Sequence, residues 1–281
     1  MLYLLLAILT SVAVAHTLKY AEHRKLAIYP VYAVNYLIAT GIALYGGGGQ
    51  LPPSMGIELG IVGVVMGFLF IGCFVLFSYS IRKLGVSIAV SLMRLAAVLP
   101  TIASLLFFDD LPAALQVIGI ILAFAALPFA TKQPIGKDWR VLIAGGFGWG
   151  LLLFFAFGLV EFLFKIQKEL LPVDNSYQFL SLIFPIAFLT AVVLVVIKKQ
   201  RVGLHEVGTG AVLGVVNFFS AYFFVLALKE LPGVFVYPTN GVAIILLTTV
   251  TGILFWKERV TKRNMVFIAI ASLALALLYQ G

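Results

Sequence analysis

Residues 84–108 read LGVSIAVSLMRLAAVLPTIASLLFF, an apolar run with a single charge in it. The hydrocarbon core of a bilayer is about 30 Å thick and takes about 20 helical residues to cross. This run is long enough, and its apolar character is unbroken, where a barrel strand would alternate apolar and polar. Arg94 stands ten residues in from Leu84. At about 1.5 Å per residue that is roughly 15 Å, the middle of the hydrocarbon. A charge at that depth is costly and marks a functional site by default. Arg94 reads as the only basic residue of the deep interior.

The rest of the chain has the same character. It is 281 residues long, 63% hydrophobic and 11% charged, with mean hydropathy +1.14. A soluble domain carries about 25% charged residues. The composition predicts an all-α polytopic membrane protein, and its Pro and Gly content is compatible with membrane helices. The net charge of +8 would suggest nucleic acid in a soluble protein. Here the bases fall in short loops between apolar runs, so no nucleic-acid partner is expected. Cys73 is the single cysteine and lies mid-span, which excludes a disulfide framework. Three scattered His and one Cys make no metal site. Enzyme signatures of the G-x-S-x-G, H-E-x-x-H and Gly-Lys-Ser/Thr kinds are absent. No cofactor and no enzymatic activity are expected, and no nucleotide-binding domain is present to drive transport.

Apolar stretches between charged or Gly/Pro-rich breaks predict ten spans, near 1–18, 27–46, 57–81, 84–108, 111–130, 139–164, 176–197, 204–228, 231–256 and 262–280. Met1 to His16 ends in Ala13-Val14-Ala15, as a signal-peptide cleavage site does. It lacks a basic n-region and is read as the first span. Gly46 to Pro53 is a turn-rich break. Thr131 to Lys137 divides the chain into 1–131 and 138–281, five spans each.

The halves read as repeats. A shift of 148 residues lays Gly85 on Gly233, Leu106-Phe107 on Leu254-Phe255, Asp110 on Glu258, Gln116 on Asn264 and Ala123 on Ala271. With the N-terminus outside, inner loops hold fifteen of the nineteen basic residues. Outer loops hold Lys165, Lys168 and Lys229, and Arg94 is the remainder. That bias predicts both termini outside, with Trp139 and Trp256 at the inner interface. An odd number of spans per half makes the repeats inverted, the architecture of secondary transporters with a site near midplane.

Polar residues then nominate the site. Ser87, Ser91, Arg94 and Thr101 share one face of the fourth span, and Tyr237, Asn240, Thr248 and Thr251 form a stripe on the ninth. Asn240 is near midplane as well. The alternative for the hydroxyls is bonding between or within helices. Pro238 removes a backbone donor just before Thr239-Asn240 and predicts a broken helix with carbonyls freed toward a ligand; Pro100 predicts the same beyond Arg94. Glu161 is the one carboxylate in the deep spans. It reads as about 22 residues into the sixth span, near the outer boundary and out of Arg94's depth, and is a candidate for proton coupling. Asn35, flanked by Tyr32 and Tyr36, and Asn217 with Ser220 are further cavity candidates. Gly63-x-x-x-Gly67, Gly146-x-x-x-Gly150 and Gly210-x-x-x-Gly214 allow close helix approach.

Gly85-Val86-Ser87, Pro100, Phe107-Phe108-Asp109-Asp110 and Gln116-x-x-Gly119 resemble the EamA half of the drug/metabolite transporter superfamily. Phe255-Trp256-Lys257-Glu258-Arg259-Val260-Thr261 is similar to that family's F-x-x-x-E-R-x-T ending. The resemblance covers essentially the whole chain. The first half departs by having Asp-Asp-Leu-Pro in place of Glu-Arg-x-Thr, and Phe267 lies opposite Gly119. The resemblance implies ten helices in two inverted EamA repeats around a central cavity, in a bacterial inner membrane, moving small metabolites. Some members have both termini cytoplasmic; the charge bias here predicts otherwise. The expected function is secondary transport of an anionic or zwitterionic metabolite by alternating access, with Arg94 on its charged group and Ser91, Tyr237, Thr239 and Asn240 orienting it. Membrane lipids are the other expected partners, and the protein is expected as monomer or homodimer. The alternatives are a lipid or lipid-linked sugar flippase of the same fold and a membrane scaffold.

Overall fold

The computed structural model describes residues 1–50, 56–84, 86–129, 147–170, 175–257 and 261–280. Side chains at 78, 81–84, 86–88, 90, 91, 128 and 147 are outside that description. No strand occurs among the described residues. In chain order the helices are α1 (Leu2–His23), α2 (Ile28–Gly46), α3 (Ile57–Leu84), α4 (Val86–Leu95), α5 (Val98–Phe107), α6 (Ala114–Ala126), α7 (Phe147–Leu170), α8 (Ser176–Ile197), α9 (Leu204–Glu230), α10 (Gly233–Trp256) and α11 (Lys262–Tyr279). Among the described residues, eight helices are long and apolar enough to cross a membrane, and Leu92–Phe107 and Ala114–Ala126 are shorter apolar segments. Helices are what hydrocarbon demands, because each backbone donor must find its acceptor within the segment. Large apolar side chains such as Ile61, Phe68, Phe155, Leu189 and Val193 stay on the surface, as suits a lipid solvent.

The break expected from Pro100 is present, and three other expectations are corrected. The fourth span is not one helix: it breaks at Ala96-Ala97, between α4 and α5. Pro100 lacks the N–H that would reach the Ala96 carbonyl, and its ring crowds that carbonyl. The chain tightens instead, with Leu99 N–H donating to the Ala96 carbonyl at 3.0 Å and Ala97 N–H to that of Arg94 at 3.3 Å. Pro238, by contrast, breaks nothing. It sits inside a continuous α10, as Pro185 sits inside α8. The sixth span runs on past its expected end at 164: its described helix reaches Leu170, so Glu161 stands nine residues before that end. Lys165 and Lys168 are therefore helix residues and not loop residues, and Lys229 lies in the last turn of α9. The dividing segment Thr131 to Lys137, Trp139, Gly146, Gly85, Glu258 and Arg259 lie outside the described residues.

The chain forms two compact units, Met1–Gly72 with Ile166–Glu230 and Cys73–Lys165 with Leu231–Gly281. Neither is a half of the sequence. In the first, α1 packs on α9, and α2 on α8 and α9. A Cβ at Gly214 would lie 2.6 Å from the Asn35 carbonyl oxygen, and one at Gly210 2.8 Å from that of Val31. Bare backbone is what lets α9 lie against α2. Gly67 does the same for α3 against the Ile183 carbonyl. The Asn175 side chain caps α8 by accepting from Tyr177 N–H at 2.9 Å. In the second unit, α6 packs on α11 and α5 on α10. Gly119 admits the backbone of Ala274 and Leu278, and Phe267 is fully buried. Gln116 accepts from Ala113 N–H at 3.0 Å at the start of α6; Asn264 accepts from Thr261 N–H at 3.2 Å at the start of α11.

Candidate functional site

The site is built on one face of α7. Gly158, Glu161 and Lys165 are three and four residues apart and so share that face. Each meets a different neighbour within the second unit. A Cβ at Gly158 would lie 2.3 Å from Leu99 Cδ1 and 3.1 Å from the Ala96 carbonyl oxygen. Glycine is thus what seats α7 directly on the break between α4 and α5.

One turn on is Glu161. Its carboxylate and the Arg94 guanidinium act on each other electrostatically, and burial desolvates both. Glu161 lies inside the described helix, nine residues before its end at Leu170, and not at the end of its span. Arg94 is half-buried, two residues before the α4–α5 break. The Glu161 backbone carbonyl accepts from the Tyr237 hydroxyl at 3.1 Å, which ties α10 to the same point. Glu161 Oε2 is buried and has no hydrogen-bond partner. Buried polar atoms are almost always paired.

The third residue of the face, Lys165, has no exposed side-chain surface. Arg94 is therefore not the only interior base. Lys165 Nζ donates to Asp110 Oδ2 at 2.6 Å and lies 5.1 Å from the centre of the Phe108 ring. Asp110 Oδ2 also accepts from Gly233 N–H at 2.8 Å, the first residue of α10. An acid at a helix N-terminus is favoured by the helix dipole and satisfies an otherwise orphaned donor. Charge on α7, charge in the α5–α6 loop and the start of α10 are thereby one part-buried cluster.

The nominated residues divide between the units. Arg94, Glu161, Tyr237, Thr239 and Asn240 belong to the second. Tyr237 is 1% exposed and Thr239 9%. Thr239 Oγ1, Asn240 Oδ1, Thr248 Oγ1 and Ser104 Oγ are buried without partners, as Glu161 Oε2 is. Ser91 lies on α4, with its side chain outside the described set, as is that of Ser87. Thr101 and Thr251 are not site groups: their hydroxyls bond back to the Ala97 and Leu247 carbonyls at 2.7 and 2.6 Å. Asn35 and Asn217 belong to the first unit. Asn217 stands one turn from Gly214, where α9 meets the Asn35 backbone. Asn35 Oδ1 and Asn217 Nδ2 are buried and unpaired. Ser220 instead bonds Ser11 at 2.7 Å and joins α9 to α1. Lys165 and Asp110 escaped sequence reasoning as a site. The available signal was their charge beside an apolar run, and four-residue spacing from Glu161.

No family model matches the chain. An uncharacterized protein of Haemophilus influenzae is 28% identical over 288 residues, covering 98% of this chain and 97% of that one. A protein of known crystal structure superposes with a TM-score of 0.76 at 12% identity, over 99% of this chain and 96% of that one. At that identity the likeness is one of fold alone.

Proposed function

We propose that the chain is a secondary transporter of a small anionic or zwitterionic metabolite, working by alternating access, and a member of the EamA-type drug/metabolite transporters. The observation that carries this reading is the electrostatic coupling of Arg94, beside a helix break, to Glu161, whose Oε2 is buried. Arg94 takes the substrate's carboxylate or phosphate through its planar fork. Tyr237, Thr239, Asn240 and Ser91 orient the remainder. Glu161 takes up a proton as the substrate binds, so that the site never holds an unpaired charge in hydrocarbon.

Symmetry supports the ten-span, two-repeat reading. The 148-residue shift lays Ala113 on Thr261 and Gln116 on Asn264, and both pairs make the same helix-start hydrogen bond. It also lays Asp109 on Lys257, two non-glycine residues with left-handed backbone at φ 52° and 51°. Pairs predicted to be related by the repeat, α2 with α8, α5 with α10 and α6 with α11, pack on one another. We place the protein in a bacterial inner membrane with both termini outside. Moving Lys165 from an outer loop to the interior strengthens the charge bias behind that orientation.

The test is a thermal-shift screen of purified protein against anionic, zwitterionic, neutral and cationic metabolites, beside Arg94→Gln and Glu161→Gln. A ligand at about a hundred times its Kd stabilises by about 2.7 kcal/mol. The expected result is a shift with anionic or zwitterionic compounds only, lost in Arg94→Gln. In Glu161→Gln the shift stays but no longer depends on pH. An Arg94→Gln protein that folds and keeps its ligand response overturns the assignment.

A further inference from the structure

Within the first unit, α1 and α9 enclose an open cavity of about 440 Å³. That is within the range of small-ligand pockets, about 300–1,000 Å³. It has no part in the site described above. The last third of α1 contributes His16, Thr17 and Tyr20, and the first turns of α9 contribute His205, Thr209 and Val212. The cavity thus lies where both helices reach the membrane boundary, with imidazoles and hydroxyls around it and an apolar wall.

Its surroundings are basic. The Arg24 guanidinium stands over the Tyr20 ring at 5.5 Å, and Lys19 is close enough to act on His16. The loop carrying Lys198, Lys199 and Arg201 is held at the same boundary by Gln200 Oε1, which accepts from Tyr29 N–H at 3.2 Å. Of the acids at this end, Glu22 is exposed on α1 and Glu206 Oε1 accepts from Ala27 N–H at 3.2 Å. We infer that this cavity binds the phosphate headgroup of an anionic phospholipid from the surrounding leaflet. The His16 and His205 imidazoles and the Tyr20 and Thr209 hydroxyls take the phosphate within the surrounding basic field, and Val212 begins the apolar path for the acyl chains. Basic pockets between helices at the inner boundary suit such headgroups. Zwitterionic lipid presents the same phosphate with a compensating cation and gains less from this field.

Gly208 supplies a clean probe. It lines the cavity, and a Cβ there meets nothing within 4 Å. Gly208→Leu fills the space, and replacing a helical glycine favours folding. Purified protein in neutral detergent is melted with phosphatidylglycerol, with phosphatidylcholine and with inorganic phosphate, and lipid adducts are counted by native mass spectrometry. Phosphatidylglycerol is expected to raise Tm by about 5 °C, less in high salt, and to leave one retained adduct. Gly208→Leu and the pair His16→Gln/His205→Gln should melt no lower than wild type without lipid and lose both responses. Equal shifts from phosphatidylcholine, or a phosphatidylglycerol response that survives Gly208→Leu, overturn the site. A shift from inorganic phosphate alone overturns the lipid as its source.

Discussion

The two compact units bury different things. The first buries bare backbone and rings: Gly210 and Gly214 bring α9 onto α2, and Phe184, Phe218, Tyr177 and Tyr222 fill the space between. Among its described residues the unpaired interior atoms include those of Asn35, Asn217 and Ser176, all uncharged. The second unit buries charge. Arg94, Glu161, Lys165 and Asp110 meet along one face of α7, at a helix break and at a helix start. In hydrocarbon a tight neutral contact is stabilising by itself, while a buried charge survives only with its partner. The first unit should therefore be sensitive to size and the second to charge.

The largest expected effect is in the second unit. Lys165→Met leaves Asp110 buried without its cation and should cost about 3–5 kcal/mol in denaturant titration. Adding Asp110→Asn, which keeps an acceptor for Gly233 N–H, should recover most of that loss. If the single variant is neutral, the contrast between the units fails there. Next, Arg94→Gln should weaken binding of an anionic ligand about 10- to 100-fold, since hydrogen bonds to charged groups are worth about 1.5–3 kcal/mol. Calorimetric titration measures this directly.

In the first unit the lever is volume. Gly214→Val forces a methine against the Asn35 carbonyl and should cost about 1–3 kcal/mol, read as a fall in Tm, with ligand affinity at Arg94 little changed. Gly214→Ser would sharpen the point, losing less with the smaller side chain. The smallest effect is expected at Asn175→Ala. Losing the α8 cap should cost about 1 kcal/mol, seen as faster amide exchange in the first turn of that helix.

Much of the fold is legible in the sequence because the bilayer is a simple solvent. Apolar length alone marks α1, α2, α9 and α11, and Gly63-x-x-x-Gly67 and Gly210-x-x-x-Gly214 find true close approaches. Arg94 is conspicuous for the same reason: charge is rare in hydrocarbon. Periodicity could not show that the α4–α5 break is real while Pro238 bends into an intact α10. Both prolines lose the same donor, and whether a helix absorbs the loss depends on its neighbours, here α7 seated on Ala96 through Gly158.

What the sequence determined by itself is therefore the class of solvent, the helical architecture, and the presence of one charge that must be used. Those follow from composition and length, which tertiary contacts cannot alter. What only the tertiary structure decided is who that charge meets. Packing brings Glu161 within electrostatic reach of Arg94, and the turn of α7 puts Lys165 on Asp110. Pairing across helices is a matter of register and rotation, and an apolar run with vague ends specifies neither.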